Sequence, residues 1–190
     1  MKLKIIKMKQ VQSTNNMALK IIKKGKFKPT LITSLIQTKG RGTMGKKWIS
    51  QKGNIFISIF FEINQHRINF REYALLNAYL IKGVVANLTK KKIDIKIPND
   101  LLIKKKKICG ILQEIISLDS RTFLIVGVGI NTNKSPIIKN YKTTSLSSIL
   151  RRKVVNNDIL KKIQKAYEKF IPQTAKYDFI KLKRKILKIK

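Results

Sequence analysis

Hydrophobic and polar positions follow different periods along this chain, and the periods predict its elements. Ile55-Phe56-Ile57-Ser58-Ile59-Phe60-Phe61 is apolar at nearly every position, which predicts a strand covered on both faces. Phe70, Ala74, Leu75, Ala78 and Ile81 fall on one stripe of a helix predicted over 70–90, and the stripe is core material rather than a cofactor box. Short apolar or alternating runs at 1–9, 31–35, 93–97, 101–103, 108–115 and 122–130 predict further strands. Between them lie turn residues: Gln51-Lys52-Gly53-Asn54, Pro98-Asn99-Asp100, a basic hairpin tip at Lys104–Lys107, and Ser117–Ser120. Ser13-Thr14-Asn15-Asn16 precedes a helical run from Met17, with Gly25 as its stop. From Asn156 the pattern is helical, breaks at Pro172 and ends in a lysine-rich helix. No repeat or linker divides the chain, so 1–190 is expected to be one α+β domain.

Composition narrows the class. With 43% hydrophobic residues the chain has material for a core, and no apolar run approaches the roughly 20 residues of a membrane span. Lysines interrupt the N-terminal apolar stretch, which argues against a secretory signal. One cysteine, Cys109, forms no internal disulfide, and one His with one Cys makes no zinc site. A reducing, cytoplasmic compartment is expected. The net charge of +34 raises nucleic-acid binding as a hypothesis. The lysines, however, are spread along the whole chain beside abundant Ile and Asn, all residues of A/T-rich codons. The charge therefore reads mainly as compositional, and no DNA binding is expected.

One stretch carries candidate chemistry: Gln37-Thr38-Lys39-Gly40-Arg41-Gly42-Thr43-Met44-Gly45-Lys46-Lys47-Trp48. Its glycines allow close backbone approach to a ligand, Arg41 and Lys46 can face an anion, and the sole tryptophan offers a stacking surface. It matches neither a Walker A loop nor a dinucleotide fingerprint, and alone it also fits a basic surface turn. Ser13 and Thr14 read either as helix caps or as ligand donors at a helix N-terminus. Cys109 reads as a small apolar strand residue, and His66 has no partner carboxylate nearby in sequence.

That loop is followed in order by Lys96-Ile97-Pro98-Asn99-Asp100-Leu101-Leu102, by Lys107-Ile108-Cys109-Gly110-Ile111-Leu112-Gln113-Glu114, and by Gly127-Val128-Gly129-Ile130-Asn131-Thr132-Asn133. With Ser13-Thr14-Asn15 in front, the series resembles the catalytic domain of the biotin protein ligases over about residues 1–150. The resemblance implies a mixed, mainly antiparallel sheet with flanking helices, of the class II aminoacyl-tRNA synthetase and biotin ligase type. It also implies synthesis of biotinyl-5′-AMP from biotin and ATP, then transfer to a lysine of a biotin carboxyl carrier protein. No membrane partner is expected; a homodimer is compatible with it. The family's N-terminal helix-turn-helix domain is expected to be absent here, as is its C-terminal SH3-like domain.

The resemblance also assigns roles. Lys96 matches the family's essential lysine and, with Arg41, would offset charge as a carboxylate meets the α-phosphate. Ser13, Thr14, Asn15, Gln37, Arg41, Gly42, Thr43, Lys96 and Gly110 would form the biotin site. Arg41, Lys46, Trp48, Asn99 and Asn131 would hold ATP or the adenylate. Mg²⁺ would arrive with the ATP phosphates; Asp100 is the one candidate protein contact, with an Asx turn as its other reading. Two positions depart from the family. Ile97 stands where it has Trp, which predicts a looser biotin pocket. Thr43 stands where it often has Arg, which predicts weaker retention of the adenylate, with Lys46 and Lys47 compensating in part. Rival readings are a lipoate–protein ligase of the same fold, a basic nucleic-acid-binding module, and a decayed ligase that only binds biotin.

Overall fold

The computed structural model describes residues 1–187. Its centre is a seven-stranded sheet in the order β1-β2-β3-β7-β6-β5-β4. The strands are β1 (Lys4–Val11), β2 (Thr30–Gln37), β3 (Ile55–Glu62), β4 (Asp94–Lys96), β5 (Asp100–Ile103), β6 (Lys106–Leu118) and β7 (Arg121–Ile130). Only β1 and β2 run parallel; every other pair is antiparallel. The helices are α1 (Thr14–Lys23), α2 (Phe70–Thr89), α3 (Leu146–Leu150), α4 (Asn156–Thr174) and α5 (Phe179–Leu187). The mainly antiparallel α+β sheet with flanking helices is as expected.

The two faces of β3 explain its unbroken apolar run. Ile55, Ile57, Ile59 and Phe61 join the large core under α2 and α4, with Tyr73, Leu76, Ile81, Ile163, Tyr167 and Phe170. Phe60 faces the other way, with Ile32, Phe123 and Ile125, under Ala18 and Ile22 of α1. Ser58 is the polar break in this run and is fully buried. It faces α1, opposite Gly127 in the register.

Local rules explain most element ends. Asn69 and Glu72 form a reciprocal capping box at the start of α2. Gly25, with φ of 69°, follows the end of α1 as predicted. Several boundaries differ from the sequence expectation. The helix expected from Met17 begins at Thr14, one residue after Ser13. Pro172 does not interrupt α4, which runs on two residues past it and ends at Thr174. The five-residue α3, capped by Ser145, has too little periodicity to stand out in sequence.

A buried polar chain ties the helical layer to the sheet. The Tyr167 hydroxyl donates to Asn77 Oδ1 at 2.8 Å, and Asn77 Nδ2 donates to Gln113 Oε1 at 2.7 Å. Tyr167→Phe leaves the Asn77 carbonyl oxygen without that donor. A loss of about 1–3 kcal/mol in unfolding free energy is expected by urea titration. Cys109 is fully buried, and burial pushes its thiol pKa up. It should react with a thiol reagent only at the rate of unfolding, measured by labelling in increasing urea.

Candidate active site

Three glycines clear a space on the α1 face of the sheet. Gly110 and Gly129 are paired across β6 and β7, and Gly127 lies two residues before Gly129 on the same face. A Cβ on Gly127 would collide with the Asn15 amide; one on Gly110 or Gly129 would collide with the Trp48 indole. Asn15 and Trp48 therefore lie directly on bare backbone.

Residues 40–48 arch over this hollow. Gly42 N donates to Lys46 O at 2.7 Å and Trp48 N to Gly40 O at 3.0 Å, so the stretch is a small hairpin. Met44 and Gly45 turn it with φ of 54° and 71°. Gly40 is packed so closely against the Trp48 carbonyl that a Cβ would stand 2.6 Å from it.

The cleft beneath is lined at its inner end by Ser13, Thr14, Asn15, Gln37 and Leu112. Ser13 is the N-cap of α1, yet its hydroxyl makes no capping bond, which leaves it for a ligand. Thr14 N donates to Gln37 Oε1 at 2.8 Å, and the Thr14 and Ser58 hydroxyls lie 2.7 Å apart. Asn15 accepts from Ser58 and donates to Glu114 Oε2 at 2.7 Å. Arg41 donates to the same Glu114 oxygen at 2.6 Å. The outer end is lined by Arg41, Thr43, Trp48, Asn99, Asp100 and Lys107. Asn99 Nδ2 donates to Ile111 O at 3.1 Å and reaches Thr43 Oγ1 at 3.5 Å, which holds the β4–β5 turn against the hairpin.

Lys107 is the second cation at the outer end, beside Arg41, and it is not part of a solvated hairpin tip. Its Nζ lies 2.8 Å from Asp100 Oδ1, close enough for an ion pair though not aligned as a hydrogen bond. The same ammonium stands 5.4 Å from the Trp48 ring centroid and 5.3 Å from that of Tyr141. Its position has a backbone cause. Between Leu101 and Leu102 the register shifts, so that Leu101 opposes Cys109 while Leu102 opposes Lys107. Ile108 is the extra residue of a bulge. The bulge turns Lys107 to the face of Gly110 and Asp100, where strict alternation would point it away.

A second, smaller cleft on the far side of Trp48 is lined by Lys47, Ile49, Lys107, Asn131, Pro136 and Tyr141. Asn131 is 2% exposed. Its Oδ1 and Trp48 Nε1 are buried without a hydrogen-bond partner among the described residues. Such an unpaired donor and acceptor, beside an aromatic face, suit a polar heteroaromatic ligand.

The structure thus brings together Ser13, Thr14, Asn15, Gln37, Arg41, Gly42, Thr43, Trp48, Asn99, Asp100 and Gly110, with Asn131 in the adjoining cleft. It does not bring Lys96 there: the residue is exposed on β4 and lines neither cleft. Lys46 is likewise exposed and outside both. Ile97 is 73% exposed and lines neither cleft. Sequence reasoning missed Lys107, Ser58 and Glu114. Ser58 had a signal, as the one hydroxyl in an apolar strand. Lys107 had none, because a bulge is not visible in a run of four lysines.

A model of the biotin/lipoate A/B protein ligase family matches residues 8–131. The chain belongs to this family. It is 33% identical over 147 residues to the bifunctional ligase/repressor BirA of Bacillus subtilis (strain 168), covering 74% of this chain and 45% of that protein. To biotin–protein ligase 2 of Arabidopsis thaliana it is 30% identical over 165 residues, covering 77% of this chain and 48% of that protein. The chain spans about half the length of the curated relatives it matches. Among solved structures it is similar to the biotin protein ligase from Aquifex aeolicus in complex with biotin and ATP. There the TM-score is 0.79 at 29% identity, with 96% of this chain and 76% of that chain covered. The match to the biotin protein ligase from Leishmania major in complex with biotinyl-5-AMP has a TM-score of 0.80. At 21% identity, with 98% of this chain and 81% of that chain covered, it speaks for the fold alone.

Trp48 is the sole tryptophan, so its fluorescence reports this site alone. Gly129→Ala should displace the indole and shift its emission to the red while the melting temperature changes little. An unchanged spectrum would contradict the close packing described.

Proposed function

We propose that the chain joins biotin to ATP to form biotinyl-5′-AMP, releasing pyrophosphate, and then passes the biotinyl group to one lysine of a biotin carboxyl carrier protein. The observation that carries this reading is one cleft with a neutral polar inner end and two cations, Arg41 and Lys107, nearer its mouth. The inner end suits a ureido ring, which offers donors and a carbonyl but no charge. Two of the matched proteins, from Arabidopsis thaliana and Aquifex aeolicus, are biotin protein ligases by name, which favours biotin over lipoate as the acid.

In the first step a carboxylate oxygen attacks the α-phosphorus and the bond to pyrophosphate breaks. Both reactants are anionic, so Arg41 and Lys107 offset their repulsion and the charge that builds in the transition state. We give this role to Lys107 rather than to Lys96, because Lys107 lines the cleft and Lys96 does not. Asp100 and the two rings hold its ammonium in place. Asn131 and Trp48 take the adenine. In the second step the neutral carrier amine attacks the acyl carbon, the acyl–phosphate C–O bond breaks to release AMP, the nitrogen gives its extra proton to solvent, and Lys107 stabilises the oxygen that gains charge. Mg²⁺ enters with ATP as part of the substrate. Among the described residues no cluster of three or more acidic, His or Cys side chains could hold a resident ion, and Asp100 is the lining carboxylate. This reading requires neither DNA nor a membrane, and the described helices include none long and apolar enough to span one.

Biotin-dependent exchange of labelled pyrophosphate into ATP tests the first step. Lys107→Ala should lower the exchange rate at least a hundredfold, while Lys96→Ala should leave it within about threefold. Equal losses in both variants would return Lys96 to the site. Exchange with lipoate and not biotin would overturn the choice of acid.

Thr43 lines the cleft with a neutral hydroxyl, and Lys46 does not reach in to replace the missing charge. We infer that biotinyl-AMP escapes during turnover without carrier. Free biotinyl-AMP should accumulate in the wild type, and Thr43→Arg should suppress it. If none is detected and Thr43→Arg binds it no more tightly, retention does not depend on this position.

A further inference from the structure

We propose that Glu114 is a positioning residue that fixes the Arg41 guanidinium, and with it the 40–48 hairpin, over the cleft. The catalytic relevance of this clasp rests on the ligase reading; the clasp itself does not.

Glu114 is set in the long strand β6, opposite Ile125 of β7. Its Oε2 receives two donors, Arg41 Nη2 at 2.6 Å and Asn15 Nδ2 at 2.7 Å. Asn15 cannot drift, because it is 3% exposed, bonded to Ser58 and pressed on the bare backbone of Gly127. The carboxylate is therefore anchored from the sheet and from α1 before it meets the loop. Arg41 is the opposite case. It is exposed, on a hairpin whose other side-chain links to the sheet are the Trp48 indole packed on Gly110 and Gly129 and the 3.5 Å approach of Asn99 to Thr43. Glu114 supplies the short, charge-assisted contact.

The contact is one-sided. Among the described residues Arg41 makes this hydrogen bond alone, through Nη2. Its remaining N–H donors are left for an anion in the cleft. A guanidinium held by one corner loses little further freedom on meeting a carboxylate or phosphate, so more of the new interaction appears as binding or rate. Glu114 also lowers the positive potential at that point. Positioning and competition therefore make opposite predictions, and the geometry favours positioning.

Glu114→Gln keeps the side-chain volume and an acceptor for Asn15 but removes the charge facing Arg41. Hydrogen exchange of the ligand-free protein, followed by mass spectrometry, should show amides of residues 40–48 exchanging about tenfold faster, with the remaining peptides and the melting temperature unchanged. Pyrophosphate exchange gives the second readout. Glu114→Gln should lower kcat/KM for biotin about tenfold and Arg41→Ala further. The double variant should be no worse than Arg41→Ala, because Glu114 acts through Arg41. Unchanged loop exchange, additive losses, or tighter biotin binding by Glu114→Gln would each overturn the proposal. If the wild type itself shows no pyrophosphate exchange, the ligase reading fails while the loop measurement still decides the clasp.

Discussion

The site depends on a strip of sheet without side chains. Gly110, Gly127 and Gly129 lie side by side on β6 and β7, and each position where a Cβ would stand is filled by Asn15 or Trp48. A methyl group at any of them would push out a residue that lines the cleft. Because the strip is backbone, it is rigid and hydrogen-bonded on both sides. Loops can then be laid on it at fixed distances. The α1 N-terminus contacts it at one end and the 40–48 hairpin at the other.

Charge at the site is organised differently from charge elsewhere. The chain carries 43 basic and nine acidic residues, so most cations have no carboxylate to pair with. Both cations of the cleft do: Arg41 meets Glu114 and Lys107 meets Asp100. Lys107 is also flanked by two aromatic rings. Pairing of this kind adds little to stability at a half-exposed site. What it provides is direction, with each cation held where an anionic reactant would arrive. The residues behind the net charge of +34 are spread along the whole sequence.

Much of this was legible in the sequence. The apolar run 55–61 belongs to a central strand, and the order of glycine loop, Pro-Asn-Asp turn and Gly-x-Gly strand is the order of elements around the cleft. Gly110 was reached through the resemblance of its motif to the family, and Ser13 by its type as either a helix cap or a ligand donor; both line the cleft. The presence of Lys107 in the cleft was not legible. It ends a run of four lysines, and the bulge at Ile108, one extra residue that reverses the facing of everything before it, leaves no mark in the sequence. Glu114 was equally hidden, since its partners Arg41 and Asn15 are 73 and 99 positions away.

The central claim is that the described cleft performs both half-reactions. The most direct test is the intact mass of a biotin carboxyl carrier domain after incubation with this protein, biotin and Mg-ATP, with peptide mapping of the modified position. The account predicts one added biotinyl group on a single lysine, formed by the wild type and not by Lys107→Ala. An unmodified carrier domain, or equal modification with Lys107→Ala, would contradict it.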